Sequence, residues 1–364
     1  MPTIGHIIYG LCLIIPILHY SKDEKFNYKV AFIFLANNIF GPDIVFLFFI
    51  TPFHSILGFL ILGIPYSLVF SYSSRFSLKK SDMKYFPLKF VDDGIREVNW
   101  KNSYLLTSAG GISHFFIDQF FHWEKSMWIW PGISIHHDQM LSWGGPAYHT
   151  ATPLIIIGNI IVVSTILLSL FIFTKGSKMS FLMLISITFL SIFLMLGITT
   201  NIYMGERELA VIVFSYLYIL IPLYLLMHVA KEVRDHPNQT PDIPKFNRNS
   251  LLYVVASISV LISIFFIVYS FFAITYAHIF AKMLGSSPTQ SVNDVAYNIV
   301  LIGYFVLVLS IILLISSLGL FFKIQICRYI VILLCSYLLI IGFPFAIALF
   351  LCENDVRVLF RSNG

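Results

Sequence analysis

The chain has 364 residues, of which 58% are hydrophobic, 16% aromatic and only 11% charged, with 23 Lys and Arg against 18 Asp and Glu for a net charge of +5. A soluble domain carries about 25% charged and roughly 45–50% apolar residues, so this composition excludes an ordinary soluble enzyme, a disordered tail and a nucleic-acid-binding module. It fits an all-α, polytopic integral membrane bundle with length for about ten spans of ~20 residues.

The apolar runs fall at 4–20, 30–50, 54–73, 103–122, 152–173, 180–199, 209–229, 251–273, 297–320 and 329–351, and predict ten transmembrane helices. The first holds Pro16 but has no Lys or Arg ahead of it, so it is expected to be a helix of the mature protein rather than a signal peptide. In the second, Gly41-Pro42-Asp43 should break or kink the helix, because proline has no N–H, and let Asp43 point inward. A turn at Thr51-Pro52 opens the third run, with His54 and Ser55 just inside it. The fourth carries His114, Asp118 and His122 at i, i+4 and i+8, which share one helical face.

A segment rich in tryptophan follows: Trp123, Trp128, Trp130 and Trp143, with His136, His137, Asp138 and His149 among them. An interfacial aromatic belt accounts for part of it, and the His and Asp residues are candidate ligands, substrate contacts or acid/base groups. Beyond residue 150 the runs contain no Asp, Glu, Lys or Arg. The chain therefore divides into a metal-site domain at 1–150, four helices plus the His/Trp-rich loop, and a six-helix domain at 151–364. Neither an internal repeat nor a low-complexity tract is evident. Cys12, Cys327, Cys335 and Cys352 lack paired spacing, which argues against a disulfide framework or a Cys-type zinc site. His19, His228, His236 and His278 read as structural or solvated.

Eighteen of the 23 basic residues lie in 21–29, 71–102, 174–179, 230–250 and 321–328, which assigns these stretches to the cytoplasm and both termini to the outside. The 71–102 stretch, with Arg75, Lys79, Lys80, Lys84, Lys89, Arg96 and Lys101, is expected to be a solvated loop that sets topology. At 1.5 Å per residue, His114 lies ~17 Å, Asp118 ~23 Å and Asp43 ~20 Å from the cytoplasmic ends of their helices. His6 and His54 open helices from the other side, so all five meet in the outer half of the bilayer.

Asp43 and Asp118 are the only carboxylates inside any run, and no Lys or Arg accompanies them. A charge in a membrane is costly and marks a function; protonation, an imidazolium or a metal ion can compensate it. Several histidines at one level favour a metal. The predicted ligands are His6, Asp43, His54, His114, Asp118 and His122, for zinc (one or two ions) or another divalent metal.

The order His6, Gly41-Pro42-Asp43, His54-Ser55 and His114-x-x-x-Asp118 resembles the LexA-binding, inner-membrane-associated family of membrane-bound metal-dependent hydrolases. That family's pattern is an early His, Pro-Asp-x-Asp, His-Arg-Gly-x-Thr-His-Ser and His-Leu-Leu-Leu-Asp. The ligand order is distantly similar to zinc-dependent phospholipase C. The resemblance covers about residues 1–135; Val45 replaces the second Asp of Pro-Asp-x-Asp, and Phe49-Ile50 stand where His-Arg would be. The resemblance implies a metal-dependent hydrolase; with the depth of the site and the sidedness given by the basic residues, the expectation is an enzyme acting on a phosphoester or related bond of a membrane lipid, with its site facing outside the cell membrane. Asp43, His122 or Asp138 would accept the proton, and Ser55, His136, His137 and His149 would contact substrate. Two other readings are a proton or metal-ion transporter, which would place ionisable groups in both halves, and a non-catalytic scaffold with a structural ion, which would show a closed ligand shell.

Overall fold

The computed structural model describes residues 6, 10–11, 13–14, 28–47, 53–80, 88–121, 126–130, 133–136, 221–237, 247–284, 291–338 and 343–360. Helices make up 82% of them, alongside two short two-stranded hairpins that the all-α expectation did not include. The chain forms two compact units: Met1–Ser74 with Ile95–Thr240, and Arg75–Gly94 with Pro241–Gly364.

In the first unit, α1 (Tyr28–Ile39) ends in a turn over residues 40–43, as Pro42 requires, and α2 is a single turn (Ile44–Leu47). Helix α3 (Ile56–Ser73) starts at Ser55, whose hydroxyl accepts a hydrogen bond from the Gly58 N–H at 3.2 Å. Helix α4 (Trp100–Phe121) packs against α1, α3 and α5 (Ile221–Asp235). Adjacent glycines permit this. A Cβ on Gly110 would lie 2.6 Å from the Phe34 carbonyl of α1, and one on Gly111 would lie 2.0 Å from the Phe59 ring of α3. Small residues that let backbones approach, with hydroxyls bonded across helices, are how bundles cohere in lipid. Here Trp100 Nε1 donates to Ser67 Oγ at 2.8 Å, Ser103 Oγ to Ser67 O at 2.7 Å and Tyr104 OH to Leu60 O at 3.1 Å. Phe34, Phe59, Phe70, Leu106 and Leu226 fill the core. Strands Ser126–Trp130 and Ile133–His136 pair antiparallel beyond α4, with a bulge between Trp128 and Trp130.

The second unit is built on α6 (Arg248–Thr275) and α8 (Val292–Phe321), joined through α7 (Ala277–Leu284). The two long helices run antiparallel: Tyr253 stacks on Phe321 at 6.1 Å, and Gly303 lies against Ile274. Their buried faces carry small residues every seventh position: Ala256, Ser263 and Ser270 on α6, and Ala296, Gly303, Ser310 and Ser317 on α8. Seven-residue spacing is that of a left-handed helix pair, in which one stripe keeps facing its partner. Ser263 and Ser310 satisfy their hydroxyls on their own helices, at 2.7 Å from the Ser259 and Val306 carbonyls. The opposite faces expose Leu261, Phe271, Leu301, Phe305 and Ile315, a surface suited to hydrocarbon. Helices α3, α6 and α8 are long and apolar enough to cross a membrane. The chain is accordingly membrane-associated. Of the other predicted spans, 152–173 and 180–199 lie outside the described residues, as does 209–229 before residue 221.

Two sequence expectations are corrected. The 329–351 run is not one crossing. It forms α9 (Gln325–Leu338) and α10 (Phe343–Cys352), and its ends meet where Arg328 Nε donates to the Leu351 carbonyl at 3.0 Å. Pro344 explains the division, since it fits the first turn of a helix but would clash inside a continuous one. Because the run returns, the tail beginning at Glu353 lies beside Asp92 and Arg248, from two of the basic stretches, and not opposite to them. Asn354 N donates to Asp92 Oδ2 at 3.1 Å, and Arg248 Nε lies 2.8 Å from Glu353 Oε2.

Nor is the 71–102 stretch merely a solvated loop. Strands Phe76–Lys80 and Leu88–Asp92 form an antiparallel hairpin with Arg75 and Asp92 buried at its base. Arg75 donates to both Asp92 oxygens, at 2.6 and 2.8 Å, and approaches Glu353 at 3.6 Å. Burial alone would push the Asp92 carboxyl up, but the Arg75 guanidinium and the N–H groups of Asn354 and Gly94 outweigh it and hold the carboxyl below its ordinary value.

Candidate metal centre

The site lies in the first unit, where two breaks in helical structure and one close helix contact bring side chains together. Asp43 occupies the turn that Pro42 forces after α1. His54 precedes α3, in the bend that the Ser55 cap fixes. His114 sits on α4 one turn beyond Gly110, where that helix is pressed against α1. His54 Nε2 lies 3.3 Å and His114 Nε2 3.5 Å from Asp43 Oδ1, and one donor atom from each residue falls within 4.8 Å of the others. The side chains of His114, His54 and Asp43 are 0%, 7% and 16% exposed, so the cluster is shielded, with the carboxylate the most open of the three.

His6 is also buried, with its ring centroid 4.2 Å from that of His114. Phe115 closes another side, at 5.2 Å from His54 and 5.9 Å from His114.

One hydrogen bond determines the chemistry of His114. Its Nδ1 lies 2.9 Å from the Asn38 carbonyl oxygen, which can only accept, so Nδ1 carries the proton. In the neutral ring Nε2 then presents a lone pair toward Asp43 Oδ1. Two acceptors 3.5 Å apart repel unless a proton, on the ring or on the carboxyl, or a metal ion lies between them. Geometry can be tested against the metal. Ligand atoms about 2.0–2.2 Å from one tetrahedral zinc stand roughly 3.3–3.6 Å from one another. The 3.3 and 3.5 Å separations match that spacing, and two imidazoles with one carboxylate are a donor set zinc accepts. The residues present fit the ion.

Below this cluster lies a buried polar layer that the sequence reading missed. Asn37 and Asn38 are both 0% exposed. Asn37 Nδ2 donates to Ile33 O at 2.8 Å and reaches Thr107 Oγ1 at 3.4 Å. Asn38 Nδ2 donates to Ser113 Oγ at 2.8 Å, beside His114. The legible signal was two adjacent amides inside an apolar run, close to Asp43. Gly10 belongs to the same layer, since a Cβ there would lie 2.6 Å from Asn38 Oδ1.

Of the predicted ligands, the structure thus brings together His6, Asp43, His54 and His114. Asp118 lies on α4, and His136 pairs with Ser126 in the second hairpin; the side chains of both lie outside the described residues. His122, His137, Asp138 and His149 lie outside the described residues entirely. Ser55 serves as the α3 cap. His228 stacks on Tyr224 at 6.0 Å, and His236 and His278 are exposed. Comparison of the chain with protein-family models, with curated proteins and with solved structures gives no match.

Proposed function

We propose that this chain is an integral-membrane metal-dependent hydrolase, with zinc or another divalent ion held by Asp43, His54 and His114. Its substrate in this reading is a membrane lipid carrying a phosphoester or related bond. The observation that supports the reading is that two buried imidazoles stand at 3.3 and 3.5 Å from one half-buried carboxylate oxygen, the spacing of ligands on tetrahedral zinc, in a chain with helices long and apolar enough to cross a membrane. Three protein ligands leave a fourth position for water or substrate, as catalytic zinc requires. An ion there would supply Lewis acidity and a water acidified toward about pKa 7. The chain's own part is to hold the site. Asn38 orients His114, the Ser55 bend sets His54, and the Asp43 carboxylate balances the ion and accepts a proton. Support for an outer-leaflet site comes from the basic residues crowding the opposite ends of the helices.

A specific observation favours a second reading. His6 packs on His114, and a fourth ligand from it would close the shell and make the ion structural.

Elemental analysis of purified protein is the first test. Wild type should carry stoichiometric metal, and Asp43→Ala, His54→Ala or His114→Ala should weaken zinc binding by more than about 100-fold, beyond what a supporting partner gives. Wild type without metal sinks both readings. If metal is present, headgroup release from labelled lipid in proteoliposomes separates the enzyme from the scaffold, and no release by loaded protein favours the latter. A tag in 123–150 should react from outside; reaction from the cytoplasm would overturn the sidedness.

A further inference from the structure

The Asn38 carbonyl that holds His114 is available for a reason written four residues later. In a continuous helix this oxygen would accept the N–H of residue 42. That residue is Pro42, which has none. The neighbouring carbonyls are used in the ordinary way: Phe40 N donates to Ala36 O at 3.0 Å and Gly41 N to Asn37 O at 3.1 Å. The ladder stops at Asn38, and His114 Nδ1 takes the place of the missing N–H at 2.9 Å. Gly41 lets the chain turn there, since a Cβ on it would lie 2.7 Å from the Asn37 carbonyl.

We infer that Pro42 is a positioning residue that acts through the backbone: by removing its own N–H it reserves the Asn38 carbonyl for His114, which locks that ring with the proton on Nδ1 and directs Nε2 at Asp43. The Asn38 side chain adds to the strap through Ser113, whose Oγ donates to Gly110 O at 2.7 Å. One dipeptide thus does two jobs, with Asp43 as ligand and Pro42 selecting the nitrogen its partner offers. A carbonyl or carboxylate on the far nitrogen of a ligating histidine commonly serves this end. Here the acceptor is released by sequence, not recruited by a loop. The inference rests on the metal reading for its purpose, but not for its test.

That test uses the full chain in detergent or nanodiscs, free of metal and labelled with ¹⁵N-histidine, with His114 assigned by loss of its signals in His114→Asn. Wild type should show a proton on His114 Nδ1 that exchanges slowly with solvent. Pro42→Ala and Pro42→Gly each restore a competing N–H and should speed that exchange or shift the proton to Nε2. Zinc affinity should then fall about 10–100-fold although every ligand remains. Pro65→Ala, which removes a proline from within α3 away from the site, should change neither readout. A wild-type ring protonated on Nε2 alone overturns the inference, and so do Pro42 variants with unchanged exchange and affinity. Should both variants fail to fold, the wild-type proton position decides. A wild type that shows the Nδ1 proton but binds no zinc defeats the metal reading and leaves this one standing.

Discussion

At the scale of single residues, the site is held by atoms too small to attract notice. Gly110 and Gly111 set the distance between α4 and the two helices that bring Asp43 and His54, so they govern where His114 stands. Gly111→Ala would drive a methyl to 2.0 Å from the buried Phe59 ring, and Gly110→Ala would meet a carbonyl that cannot step aside. Each should destabilise by about 1–3 kcal/mol through overpacking. Thermal unfolding in detergent measures that cost, and zinc titration of the surviving fold should show a weakened site. Ser55→Ala removes the α3 cap and should cost about 1 kcal/mol by the same unfolding assay. Its effect on zinc should be smaller than that of His54→Ala, since the ligand itself remains.

Among the elements, α6 and α8 show how a helix with apolar residues all round can still have one buried face. Hydrophobicity does not choose the face in lipid, because hydrocarbon solvates leucine as well as protein does; size does. Small residues at seven-residue spacing form the seam, while Leu261 and Phe305 point outward. Gly303→Val tests this. A Cβ there would lie 2.7 Å from Ile274 Cγ1, so the helices must separate locally, for about 1–3 kcal/mol lost in unfolding. A change on the outer face, such as Phe305→Leu, should leave the midpoint nearly unchanged. Helices α9 and α10 make a complementary point, because an apolar run of spanning length forms two helices whose far ends meet at Arg328 and Leu351.

For the molecule as a whole, the decisive contacts join residues far apart in sequence. Arg75, Asp92, Arg248, Glu353 and Asn354 meet at the base of the first hairpin. Removing Arg75 as Arg75→Gln takes the guanidinium from the buried Asp92 carboxylate, while Glu353 keeps Arg248, and should cost about 3–5 kcal/mol. The Asp92 carboxyl is held below its ordinary value, so its contribution is complete above an unfolded pKa of about 3.9 and is lost as pH falls through the folded value. The stability difference between wild type and Asp92→Asn should therefore be constant near neutrality and shrink below about pH 4, followed as Tm against pH. A difference that persists unchanged to lower pH would count against the pairing. Much of this molecule was legible in advance: helices over the apolar runs at 54–73, 103–122, 251–273 and 297–320, a break at Pro42, and the candidate ligands Asp43, His54 and His114 as carriers of polarity in an apolar half. These follow from local chemistry, because hydropathy, helical period and the missing N–H of proline act within one segment. The membrane, the helices and the donor atoms on offer are thus dictated by the order of residues alone. Three-dimensional folding was needed to show that Asn38 holds His114, that the 329–351 run returns, and that the tail meets the base of the basic hairpin. Each of those depends on which distant atoms satisfy a buried polar group, and a carbonyl, an arginine or a carboxylate finds that partner across space.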